Sequence, residues 1–127
     1  MILGIGIDVV DISRARRMLD TYGDRVLMRT CTDGEVAYVR SHADGAHRFA
    51  ARLAAKEAAF KALAGSFDAR AIGWREIEVI FSQGAPPQLL FHGRAAQRAQ
   101  HIGVRRSWLS MTHSDSSAVA TVILEGH

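Results

Sequence analysis

The sequence predicts an α+β fold, in which helices pack on a mostly antiparallel sheet. Two observations carry this prediction. An alanine-rich segment with helical composition lies in the middle of the 127-residue chain, and segments of alternating apolar character lie near both ends. No repeat, low-complexity tract or linker interrupts the chain. Residues 1–127 are therefore expected to form one small domain, long enough to bury about two-thirds of its unfolded surface.

The first expected element is a strand. Apolar residues alternate with Gly4, Gly6 and Asp8 between Ile2 and Val9, so the two glycines and the carboxylate share one face. A carboxylate near the end of an apolar strand is costly to bury without a partner, and glycines beside it leave space for a ligand or for another backbone. A simpler interpretation is that Asp8 only caps the following turn.

Three helices are expected next. The first runs from about Ser13 to Tyr22, and the second begins at the capping box Thr32-x-x-Glu35. Asp44-Gly45 indicates the turn before the third. The segment Phe49–Ala64 then contains eight alanines and no glycine or proline, and Gly65 follows it at once. Alanine loses no side-chain entropy in a helix and glycine ends one readily, so this segment predicts the longest helix.

The charges of this helix form two pairs. Arg52 and Lys56 lie four residues apart, as do Glu57 and Lys61, so each pair shares a face. The spacing places one carboxylate among three cations. Taken alone, the simplest interpretation is that the carboxylate forms helix-stabilising ion pairs on a solvated face, each worth about 0.2–0.5 kcal/mol.

The second half of the chain is expected to form two hairpins and one short helix. The first hairpin turns through Gly84 and Pro86, which by themselves indicate no more than a turn. His113 follows the first strand of the terminal hairpin, beside several hydroxyl side chains. The expected bounds are Glu76–Phe81 and Gln88–Phe91 for the first hairpin, Arg94–Ile102 for the helix, and Ser107–Thr112 and Ala118–Leu124 for the last hairpin.

Three motifs in this order resemble the acyl carrier protein synthase family of 4′-phosphopantetheinyl transferases: Gly-Ile-Gly-Ile-Asp8, Ala-Ala-Lys56-Glu57-Ala and Ser110-Met-Thr112-His113. The resemblance extends from Ile2 to about Leu124. It implies the fold of that family and an enzyme that transfers the phosphopantetheine arm of coenzyme A to a serine of apo acyl carrier protein. It also implies Mg²⁺ as the cofactor, 3′,5′-ADP as the product, and a homotrimer whose active sites lie between subunits.

The resemblance implies a catalytic group of three residues. Asp8 and Glu57 match the two metal-binding carboxylates, and Lys61 matches the lysine that contacts the pyrophosphate. Mg²⁺ prefers oxygen and is usually held by one or two carboxylates together with substrate phosphates and water, so two carboxylates from distant parts of the chain have a reason to meet. The base that deprotonates the serine is left open between a metal-bound water and Glu57.

The resemblance also implies residues that bind coenzyme A. Two are basic residues of the long helix, two belong to a Gly-x-Pro turn beside the nucleotide, and three belong to a Ser-x-Ser-His motif that lines the pocket. These residues are Arg52, Lys56, Gly84, Pro86, Ser110, Thr112 and His113. Thr112 departs from the motif, since it keeps the hydroxyl of the usual serine but adds a methyl group.

The first helix carries a candidate docking surface. Arg14 and Arg17 lie next to Met18, and the matching helix of the family docks onto acidic acyl carrier proteins. Opposite charges would accelerate the encounter and fix its orientation. The alternative is that these are ordinary surface arginines around an apolar stripe.

Composition limits the remaining alternatives. The net charge is only +3 with the basic residues spread, and the single cysteine excludes an internal disulfide. The apolar start is too short for a transmembrane helix and lacks a basic n-region, so a cytoplasmic protein without membrane contact is expected. A nucleotide- or nucleic-acid-binding module is the main competitor, but aromatic residues make up only 7% of the chain. Another metal-dependent phosphoryl-transfer enzyme would use the same Asp8, Glu57 and Lys61, and only substrate tests separate it.

Overall fold

A three-stranded antiparallel sheet and one long helix lying across it organise the chain. The computed structural model describes all of residues 1–127. The sheet has the order β1-β5-β4, and β2 and β3 form a separate antiparallel hairpin. The elements are β1 (Ile2–Asp11), α1 (Ile12–Tyr22), α2 (Asp24–Thr30), α3 (Asp33–Arg40), α4 (Gly45–Leu63), β2 (Ile77–Ile80), β3 (Gln88–Phe91), α5 (Gly93–Ile102), β4 (Arg106–His113) and β5 (Ser117–Glu125). The predicted α+β class is confirmed.

Helix α4 approaches β1 so closely that only glycine fits between them. A Cβ atom on Gly6 would overlap the carbonyl oxygen of Ala58, and one on Gly4 would overlap that of Ala62. The two glycines of the first motif therefore make room for a backbone rather than for a ligand, which decides between the two possibilities that the sequence left open. The small alanines of α4 allow the same approach from the other side.

The core lies between α4 and the inner face of the sheet. Phe49 and Leu63 of α4 are fully buried, as are Val122 and Leu124 of β5. On β5 the buried residues alternate with partly exposed ones, as expected for a strand that is covered on one side only. This packing fixes which face of α4 points into the protein and which points towards β1.

The outer face of the same sheet is apolar and open. Ile5, Ile7 and Val9 of β1 are between 57% and 58% exposed, and Trp108 of β4 is 51% exposed. The predicted alternation of β1 is confirmed, but its large apolar side chains point outward, and the side with the glycines and Asp8 packs on α4. None of the helices combines the length and the apolar character needed to cross a membrane.

Local signals marked some helix ends and missed others. The capping box of Thr32 and Glu35 begins α3, as predicted. Asp44 accepts a hydrogen bond from the backbone N–H of Ala46 at 3.2 Å, so α4 begins at Gly45, four residues before the predicted start of the alanine-rich segment. Helix α2 was not predicted, because its seven residues have no side-chain cap and too few turns to show a helical period.

Candidate active site

Asp8 and Lys61 meet where β1 crosses α4. The Lys61 ammonium donates a hydrogen bond to Asp8 Oδ1 at 3.1 Å and another to the backbone carbonyl of Ile7 at 2.8 Å. The Asp8 side chain is mostly buried, whereas that of Lys61 is about half exposed. Lys61 therefore reaches across to the strand and forms no ion pair with Glu57, so the simplest interpretation of the Glu57–Lys61 spacing is wrong.

Glu57 lies one helical turn before Lys61 and faces a cavity between α4, α1 and α2. The cavity has a volume of about 620 Å³, and Arg14 and Met18 of α1 line it together with Glu57. The predicted carboxylate and two of the three predicted docking residues thus border one opening. Arg17, the third, is exposed on α1 but does not line this cavity.

The surroundings of Lys56 argue against the substrate-binding role that the resemblance implies. Its side chain is fully buried, and its ammonium donates to Glu35 Oε1 at 2.7 Å and to the carbonyls of Trp74 and Ile77 at 2.9 and 2.5 Å. Glu35 also accepts hydrogen bonds from the backbone N–H groups of Thr32 and Val79. The face that Lys56 shares with Arg52 turns inward, and all three protons of the ammonium are already used.

A second cavity collects residues predicted to bind coenzyme A. It has a volume of about 640 Å³ and is lined by Arg52 of α4, by Thr112 and His113 at the end of β4, and by Pro87. Gly84 and Pro86 are exposed in the adjoining turn, and Ser110 is exposed on β4, but none of these three lines the cavity.

The second cavity also contains two ionisable side chains of α4 that sequence reasoning missed, His47 and Arg48. His47 and His113 meet edge to face, with ring centroids 5.7 Å apart, and His47 Nδ1 lies 2.6 Å from Asp44. Arg48 lies beside them in the lining. Their positions on α4 gave no signal, because only the fold brings this end of α4 against the end of β4.

Arg52 is the most confined cation of the second cavity. It is only 2% exposed, and burial lowers the pKa of its guanidinium. Its Nη1 donates a long hydrogen bond of 3.4 Å to the carbonyl of Arg48, and its Nε has no acceptor in the chain. No carboxylate forms an ion pair with it. An anion entering the cavity would meet a guanidinium that forms no ion pair with any carboxylate of the chain.

The predicted site residues therefore form two groups on one chain. Asp8 and Lys61, with Glu57 a turn away on α4, make up the first, and Arg52, Thr112 and His113 make up the second. Neither of these two cavities is lined by residues of both groups. The first group offers two carboxylates and an ammonium, whereas the second cavity offers guanidinium groups and imidazoles. The two groups therefore suit different parts of a phosphorylated substrate.

Comparison with known proteins assigns the chain. The family model of the 4′-phosphopantetheinyl transferase superfamily matches residues 4–122, which is nearly the whole sequence. The chain belongs to the 4′-phosphopantetheinyl transferase superfamily. It is therefore a transferase, and the family resemblance of its three motifs is confirmed.

Individual relatives agree with this assignment. The chain is 47% identical over 125 residues to the holo-[acyl-carrier-protein] synthase of Koribacter versatilis, covering 98% of this chain and 99% of the relative. The crystal structure of holo-[acyl-carrier-protein] synthase from Neisseria meningitidis is similar, with a TM-score of 0.86 at 26% identity, covering 98% of this chain and 99% of that one. The synthase of Bacillus anthracis, solved in complex with coenzyme A (3′,5′-ADP), has a TM-score of 0.80 at 29% identity, with 100% and 99% covered.

Proposed function

We propose that this transferase moves the 4′-phosphopantetheine group from coenzyme A to a serine of an apo acyl carrier protein. The observation that carries the proposal is the contact between Asp8 and Lys61, with Glu57 one turn away at the edge of an open cavity. The relative from Koribacter versatilis is a holo-[acyl-carrier-protein] synthase, and the Bacillus anthracis synthase was solved with coenzyme A (3′,5′-ADP). Both support the same substrates for this chain.

The reaction exchanges one phosphorus–oxygen bond for another. The serine Oγ would bond to the phosphorus that carries the pantetheine, and the pyrophosphate bond to 3′,5′-ADP would break, so that a proton leaves the serine and charge accumulates on the leaving phosphate. The half-exposed ammonium of Lys61 is suited to meet that charge, since an ammonium acts as a point charge for phosphate. We propose that Glu57, which faces the cavity, accepts the serine proton directly.

The carboxylates of the first group, Asp8 and Glu57, suit a magnesium ion. Asp8 and Glu57 offer oxygen ligands only, and no cluster of three or more His, Cys, Asp or Glu side chains in the chain is arranged to hold a metal ion by itself. Mg²⁺ is typically held by one or two carboxylates, with phosphate oxygens and waters completing its shell. We propose that Asp8 and Glu57 hold it. When bound, Mg²⁺ supplies positive charge beside the phosphoryl oxygens.

The second cavity is suited to the anionic end of coenzyme A. Arg52 supplies an unpaired guanidinium, and His113 and Thr112 supply a ring and a hydroxyl at the end of β4. Guanidinium groups bind phosphate oxygens bidentately, which gives orientation as well as affinity. We propose that these three residues bind coenzyme A, with the turn through Gly84 and Pro86 beside them and Ser110 further along β4. Lys56 is excluded from this set because it does not line the cavity and its ammonium already donates to three acceptors.

The carrier protein is proposed to dock on α1. Arg14 and Met18 border the cavity that contains Glu57, so a serine delivered there would arrive beside the proposed catalytic carboxylate. Arg17 extends the positive surface along the helix. An acidic partner would be attracted by these arginines, and the attraction would weaken as salt rises.

We further propose a cytoplasmic homotrimer, with each active site built between neighbouring subunits. Two observations support association. The outer face of the β1-β5-β4 sheet exposes Ile5, Ile7, Val9 and Trp108 together, which is unusual for a monomer. Neither of the two cavities is lined by residues of both groups within one chain, so a neighbour could complete the site. The number three comes from the family resemblance.

The deciding experiment reads the intact mass of a carrier protein. The purified transferase is incubated with coenzyme A, Mg²⁺ and an apo acyl carrier protein, and the carrier should gain one phosphopantetheine. The gain should disappear with EDTA, and Asp8→Ala and Glu57→Ala should each abolish it, because one remaining carboxylate leaves the metal site incomplete. No gain with several different carriers would overturn the proposal and favour a nucleotide-binding module instead.

A further inference from the structure

Arg52 is a buried cation that the protein holds without a carboxylate. Buried charges are normally paired, because removing a charge from water costs several kcal/mol per ion. Lys56, one turn further along α4, follows this rule through its ion pair with Glu35. Arg52 is buried to almost the same extent, yet no ion pair includes it and its Nε has no acceptor. Something other than a carboxylate must hold its guanidinium in place.

Two aromatic rings take that role. The guanidinium carbon of Arg52 lies 4.1 Å from the ring centroid of Tyr38 and 4.7 Å from that of Phe81. The two rings are stacked on each other, with centroids 5.3 Å apart and planes inclined by 4°. Both distances are well within the range at which a guanidinium is attracted to the face of an aromatic ring. Tyr38 comes from α3 and Phe81 directly follows β2, so two separate parts of the fold meet on one cation.

Arg48 holds the Tyr38 ring from a second direction. Its guanidinium carbon lies 4.9 Å from the ring centroid, and its Nη1 donates to the Tyr38 hydroxyl at 3.0 Å. The Tyr38 ring is therefore fixed by Phe81, by Arg48 and by Arg52 itself. A ring held in this way gives Arg52 a defined position, although the guanidinium makes only one weak hydrogen bond.

We propose that Tyr38 and Phe81 are positioning residues, which hold the Arg52 guanidinium ready for a phosphate of coenzyme A. A carboxylate would hold the same guanidinium more strongly, but it would neutralise the charge and occupy the donors that the phosphate requires. An aromatic face attracts the cation and leaves its donors free. This inference rests on the proposed function, since the phosphate is that of the proposed substrate.

The test is a mutant cycle with coenzyme A as the probe. Tyr38→Leu removes the aromatic face and should raise the KM for coenzyme A, and its Kd in calorimetry, by about five- to thirtyfold, while kcat changes less than about twofold. Tyr38→Phe keeps the face and should recover most of the affinity lost in Tyr38→Leu. Arg52→Gln should weaken binding at least as much as Tyr38→Leu does.

The double variant separates positioning from a general loss of structure. If Tyr38 acts through Arg52, then Tyr38→Leu/Arg52→Gln should bind coenzyme A no more weakly than Arg52→Gln alone. Circular dichroism and thermal unfolding are recorded for each variant, so that affinities are compared only among folded proteins. Multiplied losses in the double variant would overturn the inference, as would Tyr38→Phe binding as weakly as Tyr38→Leu. Failure of the unmodified protein to bind coenzyme A would instead overturn the proposed function, and this inference would fall with it.

Discussion

Replacing Lys56 by methionine should damage the stability of the protein rather than its affinity for coenzyme A. Methionine has a similar length and leaves little cavity, so the change removes chiefly the charge and its three hydrogen bonds. Glu35 would keep the backbone N–H groups of Thr32 and Val79 but would become a buried carboxylate without a counter-ion. The carbonyls of Trp74 and Ile77 would each lose a donor.

The expected loss is large. Breaking a buried ion pair from one side typically costs about 3–5 kcal/mol, and a domain has only about 5–15 kcal/mol of unfolding free energy in total. Glu35→Gln should also be destabilising. The double variant Glu35→Gln/Lys56→Met leaves no isolated buried charge, so its loss should be smaller than the sum of the two single losses by at least about 1 kcal/mol.

Urea unfolding at 15 °C, followed by circular dichroism, measures these free energies. Initial rates on the folded fraction then give the KM for coenzyme A, which should stay within about twofold of the unmodified value. The reasoning would be refuted if Lys56→Met changed the unfolding free energy by less than about 0.5 kcal/mol and raised this KM tenfold. Such a result would return Lys56 to the substrate site.

Three further predictions concern other parts of the fold. Gly6→Ala should lower the unfolding free energy by about 1–3 kcal/mol in urea unfolding, because its Cβ would overlap the Ala58 carbonyl. Gly73→Ala is the matched control, since a Cβ at Gly73 would have no neighbour within 4 Å. Equal losses in the two variants would contradict the close approach of α4 to β1. Arg14→Glu should raise the KM for the carrier protein and leave that for coenzyme A nearly unchanged, and equal changes in both would contradict the docking surface. Although partial burial raises the pKa of the Glu78 carboxyl, hydrogen bonds from its polar neighbours outweigh it and hold that pKa below the usual 4.5. A carboxyl whose pKa is lowered in the folded protein stabilises the fold at a pH above its pKa in the unfolded chain, and this stabilisation is lost as the pH falls. The difference in unfolding free energy between the unmodified protein and Glu78→Gln should therefore narrow below about pH 4.5. A difference that does not change with pH would contradict this prediction.

Sequence reasoning succeeded where the signal was local. The Thr32–Glu35 box placed the start of α3, and strand β3 has the predicted bounds, Gln88–Phe91. The order of the three motifs identified the family that the comparisons confirm. Capping and strand alternation depend on a few neighbouring residues, so these features can be read without knowledge of the fold. The roles of Asp8 and Glu57 remain predictions.

Long-range packing decided the features that the sequence missed. The i, i+4 spacing showed that Arg52 and Lys56 share a face of α4, but not that this face turns inward, where Glu35 pairs with one cation and aromatic rings hold the other. Tyr38 was missed because its partners on α4 and at the end of β2 are distant in the chain.

The sequence by itself determined the family and every helix and strand except α2, because alanine content, caps and alternation act over one or two turns of chain. Only the tertiary structure decided which of two similar cations is structural and which faces a cavity. Both cations are buried, and their partners separate them. A buried ammonium requires several acceptors, whereas the more weakly hydrated guanidinium can rest on aromatic faces. The same holds for Gly4 and Gly6. Their spacing showed an open face on β1, and only the position of α4 showed that a helix backbone fills it.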